Sequence, residues 1–252
     1  MASKGKYSGF DENGFKESLR EAAEAVCSVG LDENALGRFY LYAELLAEWN
    51  GRMNLTAITD GTGIIYKHFA DSISVLANFD IPQGETVIDV GTGAGFPGLP
   101  LKIVRDDIDL TLLDSLNKRI GFLDAVTDEL GLDKVRRLHM RAEEGGREPG
   151  LRERFGLCVS RAVARLDMLS EYCLPYVKLG GCFIAMKGAE TAGEINEAKE
   201  KIKLLGGEVS EVKTVELKLD SIRHSLVIIR KVRQTPSGFP RTQRQMTKDS
   251  GK

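Results

Sequence analysis

Apolar residues in the first 80 positions recur three and four apart. Phe15, Leu19, Ala22, Ala23 and Val26 would share one face of a helix, with Gly30 placed to cap its end. Asp32 is placed to start a second helix that turns Leu36, Phe39, Tyr40, Ala43, Leu46 and Ala47 inward and stops near Trp49, Asn50 and Gly51. Residues 53–59 read as an irregular link, and the spacing predicts a third helix over 63–78. Pro82, Gln83 and Gly84 close this helical part, and residues 1–10 read as disordered.

From Thr86 the period changes. Short runs of Val, Ile and Leu predict strands over 87–90, 110–113, 135–140, 157–160 and 182–186. Amphipathic segments between them predict helices over 97–104, 117–130, 167–179 and 194–205, the first with Pro97 in its opening turn, where a missing N–H costs nothing. Two last strands, 208–217 and 225–232, have no helix between them and predict a hairpin with a mobile middle around 218–223. Repeated strand–helix units imply an α/β fold, a parallel sheet with helices on both faces, and the hairpin adds an antiparallel pair at one edge. The expected division is a helical extension at 1–82, a sheet domain at 83–233 and a tail at 234–252.

Composition adds little to this until the end of the chain. With 42% hydrophobic and 29% charged residues in 252, the chain has the balance of a globular protein. It has no apolar run of the roughly 18 residues that a membrane span needs, and no apolar segment near its start to act as a secretory signal. Cys27, Cys158, Cys173 and Cys182 form no CxxC and no metal spacing with His68, His139 or His224. Four reduced thiols, no metal and a cytoplasmic location are the expectation. The formal charge is only −2, yet from Lys231 onward six basic residues face one acid, Asp249. That tail fits either a disordered solubilising end or a segment that reaches phosphates.

The chemistry concentrates in one stretch, Val87 to Pro100. Gly91, Gly93 and Gly95 follow a strand and precede a helix, so the backbone can turn sharply and come close to a ligand at a helix start. Gly93, Gly95 and Gly98 form a GxGxxG, and Asp114 follows Gly95 by 19 residues at the end of the second strand, as in a dinucleotide site. The run from Asp89 to Gly95 also fits the looser Asp-x-Gly-x-Gly-x-Gly turn of S-adenosylmethionine sites. In that case Asp89 lies near the amino-acid end of the donor or caps the N–H groups of the turn, and Asp114 grips ribose hydroxyls with either ligand. Pro97, the terminal hairpin and the lack of a second substrate domain favour the methyl donor.

Several separate stretches then resemble one family. They are Trp49-Asn50-Gly51-Arg52-Met53-Asn54-Leu55-Thr56-Ala57-Ile58-Thr59, Tyr66-Lys67-His68-Phe69-Ala70-Asp71-Ser72, the glycine turn from Asp89 to Gly98, Leu112 to Arg119, Ser160-Arg161-Ala162-Val163-Ala164 and Met186-Lys187-Gly188. In this order they are similar to the RsmG (GidB) family, which methylates guanine N7 in 16S ribosomal RNA. The resemblance implies a Rossmann-like class I S-adenosylmethionine-dependent methyltransferase sheet with an N-terminal helical extension. It implies that Gly91 and Phe96 line the donor pocket, that Asp114, Ser115 and Leu116 meet the ribose and adenine side, that Ala142 and Glu143 flank the adenine, and that Arg161 reaches the point where donor and guanine meet. The implied partner is 16S rRNA or the small ribosomal subunit, and nothing in the sequence demands more than a monomer. Other readings are a methyltransferase of another substrate class and a donor-binding RNA assembly factor without catalysis.

Guanine N7 has an in-plane lone pair and no proton, so the expected mechanism is direct in-line transfer with no general base. Arg161 is expected to position the reactants. Lys187, at the end of the fifth strand, is expected near the incoming base or phosphate. Lys118 and Arg119 open a helix, where the dipole disfavours cations, and an RNA phosphate nearby would explain them. His68 reads as a hydrogen-bonded packing histidine, Trp49, Phe39 and Tyr40 as core, and His139 and His224 have no role in this reading.

Overall fold

Five apolar runs pair side by side. Strands β1 (Thr86–Val90), β2 (Asp109–Asp114), β3 (Val135–His139), β4 (Phe155–Arg161) and β5 (Val177–Gly188) are parallel, since after each of the first four the chain crosses back, through a helix, to the end of the sheet where that strand began. Strands β6 (Gly207–Leu217) and β7 (Ile222–Lys231) complete a seven-stranded sheet of order β3-β2-β1-β4-β5-β7-β6, with β7 antiparallel to both neighbours. The structure, a computed structural model, describes residues 11–161, 163–217, 222–242 and 244–246. The expected disorder of 1–10 and the centre of the hairpin at 218–221 lie outside the described residues.

Side chains alternate across the sheet, and each face has its own core. Val87, Leu110, Leu112, Leu157 and Ile184 belong to one, while Ile88, Val90, Leu113, Phe183 and Ala185 belong to the other. The first core also takes in the N-terminal helices: Phe15 and Leu19 of α1 (Glu12–Cys27) and Leu36, Phe39 and Tyr42 of α2 (Glu33–Met53) pack with the sheet residues as one body. Asp11 and Asp32 cap these two helices, and α1 ends through Ser28 in the left-handed region rather than through Gly30. Around Phe69 the rings of Phe39, Tyr42 and Phe96 lie 4.9, 5.4 and 5.9 Å away. Truncating such a buried ring to alanine typically costs about 3–5 kcal/mol.

The third helix is longer and less regular than its spacing predicts. It runs as α3 (Gly61–Gly63), a π-helical segment (Ile64–Ala70) and α4 (Asp71–Asn78). Helix α5 (Gly98–Val104) starts one residue late, with Pro97 at its cap. Helix α6 (Asn117–Glu129) follows β2, and a short α7 (Ala142–Gly145), absent from the expected elements, follows β3. Helix α8 (Leu166–Cys173) stops early because Pro175 follows, and the chain passes through a 3-10 turn straight into β5. Gly180 and Gly181, expected as the turn before β5, lie inside it. Phe155 pairs with Val177 and Leu157 with Cys182, so 178–181 bulge out of register. Helix α9 (Ala192–Leu204) leads to β6.

The tail also departs from expectation through Met246. Arg152 donates to the carbonyls of Thr235 and Phe239, Arg147 to that of Pro240, and Met246 is buried. Arg241 grips Glu171 of α8 through Nε and Nη2, both at 2.9 Å. The basic side chains of the segment are thus partly occupied in holding it to the sheet domain.

Candidate active site

Strand order reverses between β1 and β4, and the crevice beyond their carboxyl ends is where such sheets bind ligands. The turn after β1 builds its floor. Gly91, Gly93 and Gly95 have φ of 73°, 62° and 97°, a region that side-chain-bearing residues avoid. Gly91 N and Thr92 N donate to Leu113 O of β2 at 2.8 and 3.1 Å, which ties the turn to the neighbouring strand. A Cβ on Gly93 would enter open space, whereas one on Gly91 would lie 2.6 Å from Val163.

Two carboxylates hold this turn. Asp114 Oδ2 accepts from Gly93 N at 2.9 Å and from Arg119 Nη1 at 3.2 Å, and its Oδ1 accepts from Leu116 N at 2.9 Å. Asp89 Oδ2 accepts from Thr92 Oγ1 at 2.7 Å and Gly98 N at 2.8 Å. Asp89 is fully buried behind the turn, and burial pushes its pKa up to about 6 against the hydrogen bonds that favour the charge.

The cleft above the turn has a volume of about 530 Å³, within the roughly 300–1,000 Å³ of small-molecule sites. Of the residues singled out in the sequence, Gly91, Gly93, Phe96, Asp114, Ser115, Ala142, Glu143 and Arg161 line it, and so does Arg119. Other expected residues do not. Asp89 is a brace for the turn. Gly95 is required by packing, because its Cβ would lie 2.5 Å from both Leu99 Cδ1 and Tyr42 Oη. Leu116 is exposed beside the cleft and Lys118 is exposed on the first turn of α6. Lys187 lies outside the cleft: its Nζ donates to Ala164 O at 2.9 Å and pairs with Glu194 at 2.8 Å, so it holds the loop after β4 against α9.

The wall facing Asp114 is aromatic and cationic. Tyr42 and His68 stack on Phe96, with centroids 5.3 and 4.5 Å away, and the Arg161 guanidinium carbon lies 5.0 Å from the Phe96 centroid. Arg161 Nη1 donates to Asp71 Oδ2 at 2.6 Å and Lys67 O at 3.1 Å, and Nη2 meets His68 Nδ1 at 3.2 Å. Arginine can only donate, so His68 carries its lone pair on Nδ1 and its proton on Nε2, which donates to Thr56 Oγ1 at 2.8 Å. Burial, reinforced by the Arg161 charge, lowers the His68 pKa to about 3, which keeps the ring neutral. His224 Nδ1 lies 2.9 Å from Asp71 Oδ1. Burial opposes the charge on Asp71, but His224 and Arg161 outweigh it and hold the carboxyl below its usual range.

His68, Thr56, Asp71 and His224 escape a reading of the sequence by spacing. His68 is a packed, hydrogen-bonded histidine as expected, but it also lines the cleft. The signals for the first three were the stretches 49–59 and 66–72; nothing marked His224 in sequence.

A parallel sheet of this order, with a glycine turn after β1, an acid ending β2 and a terminal antiparallel hairpin, defines a Rossmann-like class I methyltransferase. Two solved structures share the fold. TrmN from Thermus thermophilus superposes with a TM-score of 0.53 at 16% identity over 78% of this chain and 53% of its own. M. jannaschii TYW2 in complex with AdoMet does so with 0.53 at 13% identity over 70% of this chain and 80% of its own. Residues 36–226 match the family model described as GidB, rRNA small subunit methyltransferase G. A ribosomal RNA small subunit methyltransferase G of Clostridium perfringens (strain 13 / Type A) is 48% identical over 227 residues, 89% of this chain and 95% of that protein. The chain belongs to the rRNA small subunit methyltransferase G family.

Proposed function

We propose that the protein transfers a methyl group from S-adenosylmethionine to N7 of a guanine in the 16S RNA of the small ribosomal subunit. The observation that carries this reading is one cleft with the glycine turn and Asp114 on one side and Phe96 and Arg161 on the other. The residues present fit the donor. Gly93 leaves open space where a side chain would stand, Asp114 has room for a further hydrogen bond on Oδ1, since Oδ2 already takes two donors, and Ala142 and Glu143 line the same cleft. When bound, S-adenosylmethionine supplies an electrophilic methyl group on a sulfonium.

The protein's part is then placement. Guanine N7 needs no deprotonation, so no residue has to act as a base, and His68 with its lone pair turned to Arg161 is not offered as one. Holding reactants in line can supply roughly 7–11 kcal/mol of barrier lowering. Arg161 has three of its five N–H groups bound by the protein, which leaves Nε–H and one Nη2–H for guanine O6 or the donor carboxylate while N7 stays open. Arg119 lines the cleft and the exposed Lys118 precedes it on the first turn of α6, where RNA phosphates would offset their unfavourable position at a helix start. Lys187 supports the loop that follows Arg161. The cleft lies within one chain, which fits a monomer, and a ribosomal substrate fits a cytoplasmic location.

The deciding experiment maps N7-methylguanine in 16S RNA from cells with and without the protein, then restores it with the purified enzyme and labelled donor. Full methylation in cells that lack the protein would refute the assignment. Label appearing in protein or small metabolites instead of RNA would redirect it to another substrate class.

A further inference from the structure

The stretch Tyr66 to Ser72 is prominent in the sequence, yet Asp71 has no place in the cleft. It lies behind Arg161, with only 12% of its side chain exposed. A carboxylate in the first turn of a helix ordinarily takes that helix's free N–H groups. Asp71 does not, because the π-helical segment runs directly into α4 and supplies their partners. Both oxygens are turned the other way. Oδ2 accepts from Arg161 at 2.6 Å, and Oδ1 lies 2.9 Å from His224 of β7. All three side chains are at least four-fifths buried, so the charges of Asp71 and Arg161 meet with little screening by water.

A planar guanidinium with one contact can still swing about its stem. Arg161 has three, to Asp71, the Lys67 carbonyl and His68, and they converge on Nη1 and Nη2 alone. Asp71 is the one negative charge among them. Its removal would leave a buried cation with two neutral acceptors. Resting on the reading that Arg161 serves methyl transfer, we propose that Asp71 is a positioning residue for the reaction. It fixes the guanidinium plane so that the two remaining N–H groups face the ligands, and His224 holds Asp71 from behind.

The test is a double-mutant cycle in the full chain, with Asp71→Asn and Arg161→Ala and methyl transfer to unmodified small ribosomal subunits as the rate. Asp71→Asn keeps the shape and removes the charge. Its rate should fall on the order of 10- to 100-fold, the size expected for a slight misplacement of a positioning group. In the Arg161→Ala background the same change should cost nothing further, because nothing is left to position. Side-chain nitrogen NMR adds a signature that a structural role would not give: the Arg161 Nη signals, separated in the parent by restricted rotation, should merge in Asp71→Asn. His224→Leu is the second variant, decisive should Asp71→Asn not fold; it should lower the rate by a smaller factor and likewise add nothing to Arg161→Ala. An impaired Arg161→Ala enzyme on which Asp71→Asn or His224→Leu acts by its full independent factor overturns the proposal and leaves Arg161 in its role. Transfer at the parent rate by Arg161→Ala overturns the reading of Arg161 and the proposal with it.

Discussion

The segment after β7 offers a quantitative test, since the chain there is bound where composition suggests a free tail. Replacing Arg241 by Ala removes two charge-assisted hydrogen bonds, Nε and Nη2 to Glu171, each 2.9 Å long. Such bonds contribute about 1.5–3 kcal/mol each, and the carboxylate they leave is 1% exposed. The loss is less than the sum, because Arg241 N still donates to Glu171 at 2.8 Å and Lys201 still pairs with it at 2.6 Å. About 3 kcal/mol is the expected cost. At about 2–4 °C per kcal/mol for a chain of this size, the melting temperature at pH 7 should fall by about 6–12 °C. Burial raises the Glu171 pKa, but Arg241 and Lys201 outweigh it and hold the carboxyl below its ordinary value. The stabilisation is therefore present above that ordinary value and is lost as pH falls through the lowered one. The gap between parent and variant should be widest near neutrality and narrow in acid, as read by calorimetry across a pH series. A variant that melts within about 1 °C of the parent at pH 7 would show that Arg241 does not hold the segment in solution, and the reasoning would fail.

Four further outcomes follow from the cleft. Gly95→Ala places a Cβ 2.5 Å from Leu99 and Tyr42 and should cost at least about 3 kcal/mol in denaturant unfolding, comparable to overpacked cores. Gly93→Ala meets no atom within 4 Å, should cost only about 1–2 kcal/mol of backbone strain, and should weaken donor binding measured by calorimetry; unchanged donor affinity would remove Gly93 from the cradle. Asp89 has its pKa raised to about 6, so its contribution to stability is full below about 4 and is lost as pH rises through 6. Asp89→Asn should accordingly gain on the parent between pH 4 and 7, and parallel stability curves would contradict the shift. His68, with a pKa of about 3, should show no titration between pH 5 and 8 by NMR, and a midpoint near 6.5 would place it outside the contacts described.

What the sequence shows well is whatever rests on local pattern. Val87 to Val90, Gly91 and Asp114 announce a strand, a turn and a strand end, and each stands where its spacing predicts. Phe96, Ala142, Glu143 and Arg161, which family resemblance supplied, also meet in the cleft. The pattern says less about residues whose placement is set by partners far along the chain. Asp89 and Gly95 share the glycine pattern with true cleft residues, and only the positions of Gly98 and Tyr42 show that they serve the turn. Lys187 ends a strand on the cleft side, yet Glu194 and the Ala164 carbonyl claim it. The segment around Arg241 looks solvated until Glu171 of α8 is seen to face it. His224 has no local signal, because its partner lies on a helix more than 150 positions earlier.

The placement of β7 between β5 and β6 bears on how the protein comes into being at the ribosome. Strand β6 is made before β7 but has no neighbour in the sheet until β7 arrives to separate it from β5. Until the last described strand leaves the exit tunnel, β5 has an unpaired edge, and the apolar residues Leu226, Val227 and Ile229 that finish both cores are missing. The same strand brings His224 to Asp71. A nascent chain would thus hold the whole glycine turn and still lack a finished wall. Folding is expected to be late and slow, dominated by contacts distant in sequence. An enzyme whose substrate is part of the machine that makes it would remain incomplete until β7 has left that machine.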